Sequence, residues 1–115
     1  MNRVPIPKHP RIIDKPGMEK VKVIDYCERC GRRSNGFINL EVAHVIGKGD
    51  GGPDIKENCL KLCGPASMAA GCHGADHQGK IDNDELFDII AAREHKSLDE
   101  IKEIVHQAWR FSIYE

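Results

Sequence analysis

The 115-residue chain has no apolar run of membrane-spanning length, and its first ten residues, MNRVPIPKHP, hold no apolar signal core. A cytoplasmic protein that meets no membrane is the expectation. Strong net charge is also missing, since 17 Lys and Arg stand against 18 Asp and Glu for a balance of −1. That balance argues against a protein coated in positive charge for binding nucleic acid. There is no internal repeat and no low-complexity segment, which excludes solenoids and arrays. The length fits one small domain whose hydrophobic core is marginal unless something staples it.

What is present is unevenly placed. Residues 1–35 carry nine Lys and Arg against four Asp and Glu, and residues 81–115 carry four against nine. A basic front can lie along a polyanion. Residues 1–20 contain Pro5, Pro7, Pro10 and Pro16 interleaved with Arg3, Lys8, Arg11, Lys15 and Lys20. Proline fixes φ and removes backbone donors, so this segment is predicted to be an extended basic arm. The alternation of residues 20–26 then predicts a short strand.

Five cysteines offer the staple. In a reducing cytosol, paired cysteines read as metal ligands rather than disulfides. Cys27 and Cys30 have the two-residue spacing of a zinc knuckle, with Gly31 permitting the tight turn, and they supply half of a tetrahedral site. A redox pair has the same spacing but needs a βαβ context, which is missing here.

Residues 36–46 form the best strand candidate, rich in β-branched and apolar side chains and closed by the glycine-rich run 47–52. Residues 54–58 read as a turn, residues 59–63 as a second strand pairing back on the first, and residues 64–71 as a loop of small residues. His73 and His77 stand four apart, one helical turn, so two imidazoles share a face that can hold a divalent ion. Toward the C-terminus, Asp82-x-x-Glu85 and Ser97-x-x-Glu100 have the form of helix caps. Each precedes apolar residues at helical spacing: Leu86, Phe87, Ile89 and Ile90, then Leu98, Ile101, Val105 and Ala108. Acidic Asp99, Glu100 and Glu103 at the start of the second helix would face phosphates in a groove-reading helix, so a packing hairpin is expected.

Taken together, a histidine ending an apolar strand (Glu41-Val-Ala-His44), Gly51-Gly52, the Asn58-to-Cys63 run, and Cys72-His73 ahead of His77 resemble the HNH nucleases. The likeness is to small phage-type proteins in which a Cys-x-x-Cys knuckle precedes the motif, and it spans about residues 26–80. It implies an α+β fold built on a small ββα-metal motif. The organisation would be an arm over residues 1–20, a nuclease core with the knuckle over residues 21–80, and a two-helix extension over residues 81–115. It also implies that Cys63 and Cys72 complete the zinc site. Cys59 is the alternative to Cys63, because residues four apart on a strand share a face. The loop between Cys63 and Cys72 is longer than the family's usual two residues, a change that flexible loops tolerate.

By the same resemblance, His44 is the general base, a role that suits the one side chain titrating near neutrality. Asn58 would hold the His44 ring through a backbone carbonyl or shape the loop between the strands. His73 and His77 would hold a catalytic ion, which is Mg²⁺, Mn²⁺, Ni²⁺ or Zn²⁺. One position departs from the pattern: Ala43 stands where the family has a metal-binding aspartate or histidine. Glu41, on the same strand face as Ala43, is the expected replacement ligand or a partner behind the ligands, with Asp50 and Asp54 weaker candidates.

These features predict a metal-dependent DNA endonuclease in a bacterial or phage-infected cell, with Arg29, Arg32, Arg33, Lys48 and Lys56 steering phosphate. The alternative is a zinc-ribbon module that binds nucleic acid with little catalysis. A redox protein using Cys59 is a third reading.

Overall fold

A computed structural model describes residues 12–109. Most of the predicted arm, residues 1–11, lies outside the described residues. The part that is described corrects the expectation, because Lys15–Lys22 is a helix, α1. Pro16 falls in the first turn, where its fixed φ suits the helix and its missing N–H costs nothing. Asp14 caps the helix by accepting from the Gly17 amide at 3.3 Å, and Lys20 and Lys22 in the last turn complement the helix dipole. Met18 and Val21, three apart, are the residues it buries, so the strand predicted over residues 20–26 does not form.

The predicted hairpin is present. Strand β1, Asn39–His44, pairs antiparallel with β2, Cys59–Gly64, in a register that sets His44 opposite Cys59, Ala43 opposite Leu60 and Glu41 opposite Leu62. Between them run two short 3-10 turns, Lys48–Asp50 and Lys56–Asn58. The buried Asn58 side chain fastens this loop: it accepts from the Ile46 amide at 2.9 Å and donates to the Ile46 and Pro53 carbonyls at 3.0 Å each. The pairing also stops short of Ile46, whose N–H and C=O both go to that side chain.

After β2, a 3-10 turn at Ala66–Met68 leads into the short helix α2, Gly71–His77. Gly71 has φ +65, and a Cβ there would meet the Cys63 carbonyl oxygen at 2.4 Å, so only glycine lets α2 start this close to β2. Helices α3, Asn83–Glu94, and α4, Leu98–Ala108, begin where the caps predict. Ser97 and Glu100 form a reciprocal capping box at 3.1 and 3.2 Å, whereas Asp82 caps α3 through the Asp84 amide.

The hairpin is covered on both faces. Ala43, Leu60 and Leu62 pack with Leu86 and Ile90 of α3 and Ile101 and Val105 of α4 in the main core. On the other face, Val42 and Cys59 pack with Met18 and Val21 of α1. Among the described residues, no helix is long and apolar enough to cross a membrane.

Candidate functional site

The knuckle turn brings Cys27 and Cys30 to the end of β2, where Cys63 and the first turn of α2, with Cys72, complete a four-sulfur cluster. All four Sγ atoms lie within 4.8 Å of one another. A Zn–S bond of about 2.3 Å at the tetrahedral angle separates sulfurs by about 3.8 Å. The Cys30 and Cys63 sulfurs are 3.7 Å apart, which fits. Backbone amides aim at the sulfurs, Cys30 N–H at Cys27 Sγ (3.4 Å) and Cys72 N–H at Cys63 Sγ (3.3 Å), as thiolate acceptors require.

Burial pushes the Cys27 thiol up, but the amides of Cys30, Cys63 and Arg29 outweigh it and bring the thiol down to about 7. Burial drives Cys72 up to about 12, against a hydrogen bond from Arg29 and with help from the Cys27 sulfur, and burial also raises Cys63. The Cys27 sulfur raises both neighbouring thiols, a mutual repulsion that a bound dication would offset. The cluster is consistent with a structural zinc site.

The structure also chooses between Cys63 and Cys59. Both sit on one face of β2, but four residues of strand separate them by about 13 Å, and only Cys63 reaches the cluster. Cys59 is fully buried against Met18 and Val21, and that burial pushes its thiol up to about 12. It behaves as a small hydrophobe.

The histidines fall on two sides of β1. Residues alternate along a strand, so His44 and Val42 face α1 while Glu41 and Ala43 face away from it. The His44 ring, 12% exposed, meets Asp54 through Nε2 and Oδ1 at 2.7 Å. The two line a cleft of about 350 Å³ whose walls include Met18 and Val42 and whose charged groups are Lys15, Glu19, Lys22 and Lys48. Asp54 is fixed by its backbone, which accepts from Asp14 N–H and donates to Ile12 C=O at 2.8 Å each, stitching residues 12–14 beside the loop.

On the opposite face, Glu41 Oε1 meets His73 Nδ1 at 2.7 Å and accepts from the Ala66 amide at 2.9 Å. Burial raises the Glu41 carboxyl, but the Ala66 amide and His73 win, holding it below its ordinary range. The His73 and His77 rings stand edge to face with centroids 4.5 Å apart. Beside them, burial lifts the Asp76 carboxyl above its usual value. The structure thus brings Glu41, His73 and His77 together, and His44 with Asp54, as two separate groups. Among the described residues, the thiols are the one set of three or more donors close enough together to hold a common ion. Glu41 is placed as the partner that orients His73, with Ala43 buried beside it.

Of the predicted phosphate-steering residues, Lys48 lines the His44 cleft, while Arg29 and Arg32 line a groove over Cys30, Cys63 and Cys72. Arg29 also donates to Glu85 (2.6 Å) and Cys72 Sγ (3.6 Å), and its guanidinium is held firmly charged by Glu85. Arg33 pairs with Asp25 at 2.8 Å, both exposed. Lys56 is committed elsewhere: it pairs with Glu94 at 2.9 Å as part of a scaffold.

Sequence reasoning set Lys15 in an extended arm and Lys22 in a strand, so it brought neither to the His44 cleft, and it did not pair Asp54 with His44. Ten residues and a glycine-rich loop separate that last pair, and no periodicity connects them. Comparison of the chain with protein-family models, with curated proteins and with solved structures finds no match in any of the three.

Proposed function

We propose that the protein is a metal-dependent DNA endonuclease that hydrolyses phosphodiester bonds with His44 as general base, in the manner of the HNH nucleases its motif resembles. The observation that carries this reading is the His44–Asp54 contact at 2.7 Å in a cleft edged by Lys15, Lys22 and Lys48. A carboxylate on one ring nitrogen orients the imidazole and stabilises the imidazolium formed when the other nitrogen takes a proton from water. Lysine ammoniums around the cleft attract a phosphate and offset its charge as it gains a fifth oxygen. His73 and His77 would hold the ion, with Glu41 fixing the His73 ring, and two imidazoles suit Mn²⁺, Ni²⁺ or Zn²⁺ better than Mg²⁺. Such an ion would supply Lewis-acid stabilisation of a phosphate and its leaving oxygen, and it would stand with Glu41 on the face of β1 opposite the His44 cleft.

A second reading has its own observation. Ala43, at the position where the family binds metal, is buried (1% exposed), and no further three-donor set accompanies the thiols among the described residues. A zinc-ribbon module that binds nucleic acid without cutting it fits those two facts and the placement of His44 and the His73–His77 pair on opposite faces of β1.

Supercoiled plasmid incubated with zinc-loaded protein and Mg²⁺, Mn²⁺, Ni²⁺ or added Zn²⁺ separates the two. For an endonuclease, relaxed circles precede linear DNA with at least one ion, and His44→Ala abolishes conversion while DNA affinity stays within about two-fold. Plasmid that is bound but never converted, under any of the four ions, establishes the module instead.

A further inference from the structure

The loop between the knuckle and β1 presents an aromatic side chain that the reading above does not use. Phe37 is 93% exposed, while Phe87, the other described phenylalanine, is buried in the core. Its backbone is held in a closed turn. The Asn35 side chain accepts from the amides of both Phe37 (2.7 Å) and Ile38 (2.8 Å), and Asn35 N–H donates to the Ile38 carbonyl at 3.0 Å. Both ends of the loop are anchored, by the Cys27 amide on the Arg32 carbonyl at 2.7 Å and by Ile38 against the main core. The ring therefore stands out from a closed turn rather than at the end of a slack segment.

Its neighbours in the same loop are two exposed arginines. Arg33 is paired with Asp25, but with both side chains about 70% exposed that pair is weak and exchanges readily with another anion. Arg32 lines the groove over the four-cysteine cluster. One kind of ligand offers a flat π face and an anion within a single repeating unit, and that ligand is a nucleic-acid strand.

We propose that the loop from Arg32 to Phe37 is a stacking prong for an unpaired nucleobase, with Phe37 against the base and the Arg32 and Arg33 guanidiniums on the flanking phosphates. The partner is single-stranded nucleic acid, or a duplex with an unpaired or flipped base, rather than a fully paired duplex. The proposal rests on the nucleic-acid reading of the protein and holds equally for the endonuclease and for the module.

Anisotropy titrations of the full-length, zinc-loaded protein test it, with a labelled single strand, the matching paired duplex, and a duplex carrying one bulged base. Stacking strengths predict that Phe37→Ala weakens single-strand and bulge binding by about five- to hundred-fold. Binding to the paired duplex should change by less than about two-fold, and Phe37→Trp should restore the loss. Phe37→Leu keeps apolar bulk without a π face and should not restore it. Equal losses on all three ligands, no loss on any, or full rescue by leucine would overturn the prong. Wild-type protein that binds none of the three overturns the nucleic-acid reading itself, a distinguishable result. Sedimentation equilibrium gives a further check: a wild-type dimer that Phe37→Ala turns into a monomer would assign the ring to a second copy of the chain and overturn the proposal.

Discussion

Replacing Arg93 with methionine should be among the most damaging single changes outside the four-cysteine cluster. Arg93, near the end of α3, donates through one terminal nitrogen to both oxygens of Glu28 (3.1 and 3.0 Å) and to the Cys59 carbonyl at 3.2 Å. Its other terminal nitrogen reaches the Lys56 carbonyl at 2.5 Å, and Nε reaches Glu94 at 2.8 Å. Glu28 lies in the knuckle between Cys27 and Arg29, is 4% exposed, and has one further bond, from the Lys61 amide at 2.7 Å. Methionine would leave that carboxylate out of water with a single donor and would strip the buried Cys59 carbonyl of its arginine donor, while the Lys56 carbonyl keeps the Cys59 N–H. Breaking a buried ion pair from one side costs about 3–5 kcal/mol. Whole domains hold only about 5–15 kcal/mol, so the variant should be close to unfolding at room temperature. Urea denaturation followed by circular dichroism, with zinc saturating, measures it. Because the penalty comes from the stranded charge, Glu28→Met on the Arg93→Met background should recover a large part of the loss, with a coupling of about 0.5–3 kcal/mol. A single-variant loss under about 1 kcal/mol, or strict additivity in the double variant, would refute the reasoning.

Three further outcomes follow from the structure. Cys63→Ser should lower zinc content by native mass spectrometry and unfold the protein at ordinary temperature, since structural zinc contributes more than the domain's own margin. Cys59→Ser should keep full zinc occupancy and lose only about 1–3 kcal/mol for placing a hydroxyl in an apolar site. In acid, Glu94 is informative: burial raises its carboxyl, but Lys56 and Arg93 pull it below its ordinary value of 4.5. A depressed folded pKa stabilises above the unfolded value and loses that stabilisation as pH falls through the folded one. Glu94→Gln should therefore be less stable than wild type at neutral pH, by about 1 kcal/mol, with the difference closing as pH falls below the ordinary value of 4.5 when melting temperatures are compared across pH.

Patterns that repeat over short distances were legible in the chain. The Cys27–Cys30 spacing, the hairpin, and the Ser97–Glu100 cap are each set by a few neighbouring residues, and each appears in the structure. The second half of the sulfur cluster is not a local pattern; the family resemblance supplied Cys63 and Cys72, and the structure places both with the first pair. Helix α1 was missed because prolines were counted without regard to position, and a proline in a first turn favours a helix. The Arg93–Glu28 pair was illegible because both residues look like ordinary surface charges, and only the packing of α3 across the knuckle and β2 takes them out of water. Alternation along β1 placed Glu41 and Ala43 together on one face. The same rule sends the His44 ring to the other face, so the separation of the two histidine groups was already implied by the strand itself.

Trp109, which follows α4, donates its indole N–H to the Asp50 carbonyl at 2.7 Å. It is the single tryptophan in the chain, and it grips the glycine-rich loop that also carries Lys48 beside His44. The molecule therefore contains its own optical gauge: ultraviolet emission from that indole should shift in colour or intensity when something settling near His44 disturbs the loop, with no dye attached.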